Sequence, residues 1–70
     1  MAKSIDARGL SCPQPVMMTA TAINKGEFPI TVLVDGMTAE ENIRRFATNK
    51  GLDVVITHKD DEATLVIKKK

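Results

Sequence analysis

The sequence predicts a two-layer α/β sandwich in which two helices cover one face of a four-stranded mixed sheet. Two short strand-like segments are each followed by a segment with helical periodicity. The last third of the chain alternates apolar and polar residues at period two around a short polar turn. The resulting order is β-α-β-α-β-β, and two helices with one apolar stripe each suit one face of a single sheet.

The first half of the chain predicts a strand, a helix and a second strand. Ser4 to Ala7 is the strand, and the helix runs from Pro13 to about Lys25, because proline is tolerated in a first helical turn. A helical wheel predicts an apolar face of Pro13, Val16, Met17, Ala20 and Ile23. The opposite face carries Gln14, Met18, Thr21 and Lys25. Gly26 is expected to cap this helix, and Ile30 to Val34 should pair in parallel with the first strand through a right-handed crossover.

The second half predicts a helix and a hairpin. Thr38 and Glu41 have the spacing of a capping box, so we expect the helix to begin at Thr38 and to end at Gly51. Its apolar stripe is Ala39, Ile43, Phe46 and Ala47, and its exposed face has the i,i+4 pairs Glu40 with Arg44 and Glu41 with Arg45. Asp53 to Lys59 and Ala63 to Lys68 should form an antiparallel hairpin. The other sheet face would carry Leu33, Val55 and Val66, which permits simple exposure or self-association.

Length and composition limit the possible functions. Residues 1–70 are expected to form one domain with a thin aliphatic core, because the chain has two Phe and no Tyr or Trp. Such a core leaves no space for a large cofactor, and we expect none. The net charge of +1 argues against a generic nucleic-acid binder. No apolar run approaches the roughly 18 residues of a membrane helix. With one cysteine, no signal-peptide pattern and no internal disulfide, a cytoplasmic location is expected.

Cys12 is the candidate reactive residue. It lies directly before Pro13 and the predicted helix, where backbone N–H groups lack partners and the helix dipole is positive. Both effects favour a thiolate, and a persulfide with its anionic terminal sulfur would gain in the same way. Pro13 and Pro15 fix the backbone of this turn, and Arg8 could add positive charge. The alternative is that Cys12 is a small buried apolar residue.

The sequence gives little support to dithiol redox chemistry, a zinc site or catalysis by His58 or Asp35. A single cysteine cannot run a dithiol cycle within one chain, and no cluster has zinc-ligand spacing. His58 is expected to be an ordinary strand residue and Asp35 a turn residue. Asp6 and Arg8 either form a local salt bridge or shape the Cys12 turn, whereas Met18 is either a solvent-facing filler or part of a docking patch.

Residues 6–18, DARGLSCPQPVMM, resemble the signature of the TusA/SirA/YedF family of small sulfur-carrier proteins. That signature has an Asp, a Gly-Leu and then Cys-Pro-x-Pro at the start of a helix, and the element order and length are also similar. The resemblance implies that Cys12 carries a persulfide, with Pro13 and Pro15 shaping its loop and Asp6 and Gly9 supporting it. Gln14 occupies the variable position and looks more like YedF-like domains and their stand-alone relatives than like TusA itself.

The resemblance implies partners rather than a cofactor. Family members take sulfur from a cysteine desulfurase or another persulfide protein and pass it to an acceptor in tRNA thiolation, molybdenum-cofactor synthesis or sulfur oxidation, and YedF-like members are associated with selenium metabolism. We expect docking through Gln14 and Met18, and no membrane or direct nucleic-acid binding. Three hypotheses stay open: a sulfur carrier, a regulatory or interaction module without sulfur chemistry, and a selenium-handling protein that uses the same turn.

Overall fold

The computed structural model describes residues 2–10 and 14–69. Its elements are β1 (Lys3–Asp6), α1 (Gln14–Lys25), β2 (Ile30–Val34), α2 (Met37–Asn49), β3 (Leu52–Lys59) and β4 (Glu62–Lys69). The predicted order is confirmed, and β2 has the predicted bounds. β1 lies one residue earlier than predicted. Gly26 and Gly51 follow the two helices with φ of 71° and 76°, a backbone conformation that glycine adopts without steric cost.

The four strands form one mixed sheet in the order β1-β2-β4-β3. β1 runs parallel to β2, with Ile5 opposite Val32, whereas β4 runs antiparallel to both β2 and β3. Asp60 and Asp61 form the two-residue turn of the β3–β4 hairpin, and Asp60 has a φ of 55°. Because β1 and β2 are parallel neighbours, their carboxyl ends lie at the same edge of the sheet.

The hydrophobic core lies between the sheet and the two helices. Side chains alternate across each strand, so one face of β2 and β4 supplies the fully buried Ile30, Val32, Val34, Leu65 and Ile67. The helices pack against each other and against the sheet, and they contribute Ala22, Ile43 and Ala47. The predicted sandwich, with both helices on one face, is therefore confirmed. Among the described residues, no helix combines the length and apolar character that a membrane span requires.

The buried face of α1 differs from the predicted one. Pro15, Thr19 and Ala22 are buried at i, i+4 and i+7, whereas Met17 is 61% exposed. The hydropathy pattern predicted the wrong face because Thr19 is a polar residue that is nevertheless buried. Its hydroxyl donates a hydrogen bond to the Pro15 carbonyl at 2.9 Å and so needs no water. Val16 and Ile23, which were predicted to lie in the apolar face, flank the buried residues and pack against the core.

The start of α2 also differs from the prediction. Gly36 is the extended N-cap residue, and no side chain caps the helix, so the predicted capping box of Thr38 and Glu41 is wrong. Met37 is the first helical residue, which places Thr38 inside the first turn, where it lacks the non-helical backbone that an N-cap needs.

The exposed ion pairs of α2 are only partly as predicted. Arg45 donates to Glu41 at 3.4 Å, which confirms that i,i+4 pair. Glu40 instead contacts His58 Nε2 of β3 at 2.9 Å from each carboxylate oxygen. Glu40 therefore links α2 to the sheet rather than to its own helix.

The sheet face opposite the helices is partly apolar. Val55 is 47% exposed and lies opposite Val66 across the β3–β4 ladder, while Leu33 and Val66 are half-buried. This distribution agrees with the predicted half-apolar face.

We predict that valine-to-alanine changes on the two sheet faces have unequal effects. Val32→Ala should lower the free energy of unfolding by about 2–3 kcal/mol, because it deletes fully buried methyl groups and leaves a cavity. Val55→Ala is the matched control and should cost under about 1 kcal/mol. Urea unfolding measures both, and equal losses would contradict the assignment of the core to the helix-facing side.

Candidate functional site

The chain leaves β1 in a tight turn at the sheet edge. The Ala7 N–H donates to the Leu33 carbonyl at 2.8 Å, which continues the β1–β2 ladder one residue beyond the strand. The Leu10 N–H then reaches the Ala7 carbonyl at 3.4 Å and closes the turn. Gly9, inside this turn, has a φ of 73°, which disfavours any residue with a Cβ. The predicted supporting residue Gly9 therefore has a clear conformational role.

Arg8 holds this turn through three hydrogen bonds of its guanidinium. Its Nε and Nη2 donate to the two carboxylate oxygens of Asp6, each at 2.9 Å, in the bidentate geometry that strengthens such pairs. Its Nη1 donates to Glu62 Oε2 at 3.1 Å. The Arg8 backbone N–H also donates to Asp6 Oδ1 at 3.2 Å. Arg8 therefore connects the end of β1 to the first residue of β4, and the predicted Asp6–Arg8 salt bridge is present.

These contacts shift the ionisation of both partners. Hydrogen bonds from the Arg8 side chain, and then from the Arg8 backbone N–H, lower the pKa of Asp6 to about 2. The hydrogen bonds that the Arg8 guanidinium donates to Asp6 and Glu62 raise the pKa of Arg8. Both side chains are substantially exposed, so solvent and salt screen their attraction. The Asp6–Arg8 pair therefore fixes the conformation of the turn more than it raises the free energy of unfolding.

Asp35 makes a contact that sequence reasoning missed. It follows β2 directly, and its Oδ2 accepts a hydrogen bond from the Gly9 N–H at 3.0 Å. The sequence pattern predicts Asp35 only as a turn residue. The signal that could have found this contact is the parallel pairing of β1 and β2, because residues just beyond two parallel neighbours meet at one edge.

The described part of α1 begins at Gln14, two residues after Cys12. Cys12 and Pro13 lie outside the described residues, so their proposed roles stay predictions. The segment that contains them runs from the turn at Ala7–Leu10 to the first turn of α1, where backbone N–H groups lack intrahelical acceptors. Pro15 is buried beneath this helix start. The polypeptide on both sides of Cys12 is therefore held by defined contacts.

Two methionines near this helix start are exposed. Met17 is 61% and Met18 is 40% exposed, and with Gln14 and Thr21 they line a shallow groove of about 320 Å³. Leu10, on the other side of the segment, is 37% exposed. We call Gln14, Met17, Met18 and Thr21 the α1 groove. Sequence reasoning missed Met17 because it placed this residue on the buried face.

Comparison with known proteins assigns the family. The family profile described as "Sulfurtransferase TusA" matches residues 3–69. The chain belongs to the TusA family. A candidate sulfur carrier protein from Methanocaldococcus jannaschii is 38% identical over 71 residues, covering 97% of this chain and 93% of that protein. A crystal structure of a SirA-like protein from Desulfitobacterium hafniense superimposes with a TM-score of 0.82 at 26% identity, covering 97% of this chain and 99% of that one.

Family membership supports a sulfur-carrier role. His58 is an exposed β3 residue that contacts Glu40, in keeping with its expected assignment as an ordinary strand residue. Within residues 2–10 and 14–69, no three His, Cys, Asp or Glu side chains are grouped so that they could hold a metal ion. A second open groove of about 850 Å³ lies between α2 and the hairpin and is rich in carboxylates.

We predict that the Asp6 carboxyl titrates with a pKa of about 2 in the folded protein. Because this value lies below that of an unfolded Asp, about 3.9, the Asp6–Arg8 contact contributes stability above about pH 4. That contribution is lost as the pH falls through the folded pKa of about 2. Carbon-detected NMR titration of the Asp6 carboxyl measures the value, and Arg8→Gln should move it upward. An Asp6 pKa near its ordinary value in the wild type would contradict the paired geometry.

Proposed function

We propose that this TusA-family protein accepts sulfane sulfur as a persulfide on Cys12 and relays it to an acceptor protein. The donor is a cysteine desulfurase or another protein with a persulfide. The observation that carries the proposal is the position of Cys12, within the TusA-family match, between a braced turn and the first turn of α1. As one domain in the cytoplasm, the protein acts as a carrier rather than as an independent catalyst.

The transfer needs no cofactor and no net oxidant. The Cys12 thiolate attacks the outer sulfur of the donor's persulfide, the donor's S–S bond breaks, and a new S–S bond forms on Cys12. The donor leaves as a thiolate, and net proton uptake or release depends on the pKa values of the two thiols and of the two persulfides. Release repeats the same exchange toward an acceptor thiolate. The contribution of this chain is to present an anionic sulfur at a helix start.

Docking supplies what the domain itself lacks. The described grooves are open and shallow, so donor and acceptor proteins must provide the walls that exclude water from the reaction. The α1 groove begins two residues after Cys12 and combines two exposed methionines with the Gln14 amide. Methionine side chains adapt to different surfaces, which suits a carrier that must bind a donor and then an acceptor. We propose Gln14 and Met18, with Met17, as docking residues.

The sulfur requirement separates the carrier from its alternatives. A regulatory module that binds through α1 would keep its function in Cys12→Ser, whereas a carrier would lose it. A selenium-handling role uses the same helix-start electrostatics. Transfer from a donor persulfide (S–SH) and from the corresponding selenopersulfide (S–SeH) must therefore be compared on one protein, since both donors deliver the atom at the oxidation level that Cys12 would carry. The protein that removes sulfur from the Cys12 persulfide identifies the pathway, which could be tRNA thiolation, molybdenum-cofactor synthesis or sulfur oxidation.

We predict that the wild-type protein gains the mass of one sulfur atom when it is incubated with a cysteine desulfurase, pyridoxal phosphate and cysteine. Intact-protein mass spectrometry measures this adduct, which a thiol reductant should remove. Cys12→Ser, checked for folding by circular dichroism, should show no adduct. Absence of the adduct on folded wild type with several desulfurases, or its persistence on Cys12→Ser, would refute the proposal.

We predict that Met18→Gln raises the concentration of this protein at which the donor is half-saturated. The substitution keeps length and helix propensity but adds polarity to the α1 groove. The maximal rate should change little, because Met18 takes no part in the sulfur exchange. Val55→Thr, an isosteric polar change on the far sheet face, is the matched control and should match wild type. Equal behaviour of the two variants would exclude the α1 groove as the docking surface.

A further inference from the structure

We propose that Asp35 is a positioning residue for sulfur transfer, acting through the Gly9 backbone to fix the segment that carries Cys12. This proposal rests on the proposed carrier function and adds a residue from a different part of the chain. Asp35 lies 26 residues from Gly9 in sequence and makes its contact from the loop after β2. Asp35 lies outside the Cys-Pro-x-Pro motif and the residues that flank it in sequence.

The hydrogen-bond pattern gives Asp35 a defined place in the turn. The Ala7 N–H donates to the Leu33 carbonyl, and the Gly9 N–H donates to the Asp35 carboxylate. The two donors, Ala7 and Gly9, are two residues apart, and so are their acceptors, Leu33 and Asp35. The Asp35 carboxylate therefore continues the β1–β2 hydrogen-bond pattern by one step, in place of a backbone carbonyl. Gly9 has a φ of 73° and is therefore not in an extended strand conformation. Its N–H donates to the Asp35 side chain instead of to a backbone carbonyl of a neighbouring strand.

Arg8 braces the same turn from another direction. Its side chain joins Asp6 to Glu62, while Asp35 holds the next residue through the main chain. Two consecutive residues are therefore fixed to three different strands or strand ends. Of these contacts, the Asp35 bond is the nearest to Cys12 along the chain, and it restrains the backbone rather than a side chain.

The negative charge of Asp35 does not explain why a carboxylate lies beside the Cys12 segment. A negative group near the Cys12 segment disfavours an anionic sulfur, because like charges oppose ionisation. If Asp35 acted through its charge, neutralising it would favour the thiolate and speed transfer. If it acts through the Gly9 hydrogen bond, asparagine should replace it, since the amide oxygen can also accept from an N–H. Alanine should not.

The test compares Asp35→Ala, Asp35→Asn and the control Asp61→Ala, which removes an exposed carboxylate of the β3–β4 turn. Persulfide formation on Cys12 is followed as a function of carrier concentration, and the Gly9 amide resonance is compared by NMR between wild type and each variant. The Gly9 amide shift should change in Asp35→Ala, which lacks the acceptor, and stay close to wild type in Asp35→Asn. Asp35→Ala should lower the maximal transfer rate on the order of tenfold, with half-saturation changed less than about twofold. Asp35→Asn should restore most of the rate, and Asp61→Ala should match wild type.

The outcomes separate this proposal from the carrier function. Wild-type transfer rates in folded Asp35→Ala, or equal loss in Asp35→Asn and Asp35→Ala, would overturn the positioning role while leaving the carrier role in place. If wild type accepts no sulfur, the carrier function fails, and alkylation of Cys12 by iodoacetamide then decides the positioning role. An altered alkylation rate in Asp35→Ala that Asp35→Asn restores would support it, and identical rates in all variants would overturn it.

Discussion

The parallel pairing of β1 with β2 is the constraint on which the candidate site depends. It places the turn after β1 beside the loop after β2, and this proximity allows Asp35 to reach Gly9. Because β1 and β2 are parallel, α1 must connect the carboxyl end of β1 to the amino end of β2 at the opposite edge of the sheet. The start of α1 therefore lies at the edge where the ladder ends, and the segment that carries Cys12 connects these two features.

The stability of this edge comes mainly from the core beneath it. Small domains bury a limited share of their surface, and this one fills its interior with aliphatic side chains from one face of the sheet and from two helices. The exposed contacts of Arg8 with Asp6 and Glu62 are screened by solvent and add little free energy. Their effect is to select one conformation of a turn that the sheet has already placed. Pro15 and Thr19 extend the core to the first turn of α1.

The sequence was sufficient for the fold because its signals are local. Strand alternation, β-branched runs and glycine stops each act within a few residues, so the element order and the bounds of β2 were predicted correctly. The errors occur where burial and hydropathy differ. Thr19 is buried because its hydroxyl has a backbone acceptor, and Met17 is exposed although it is apolar. The capping box failed because α2 begins one residue earlier, at Met37.

The candidate site was predicted in part, for a related reason. Asp6, Arg8 and Gly9 lie within four residues and could be recognised together, but the other partners of Arg8 and Gly9 lie far along the chain. Glu62 is 54 residues from Arg8, and Asp35 is 26 residues from Gly9. Such contacts depend on strand register and on the direction of each side chain, which no local pattern specifies. Strand topology narrows the choice to one sheet edge, and the atomic structure then identifies the donor and acceptor.

The proposed stabilisation of an anionic Cys12 sulfur by the start of α1 is tested most directly by the pKa of the Cys12 thiol. The rate of alkylation by iodoacetamide, measured by mass spectrometry across a pH series, gives this pKa for the folded protein. Stabilisation of the thiolate at the helix start predicts a pKa clearly below about 8.5, the value of a free cysteine, and toward the lowered values found at helix N-termini. A pKa at or above that of a free cysteine would contradict it.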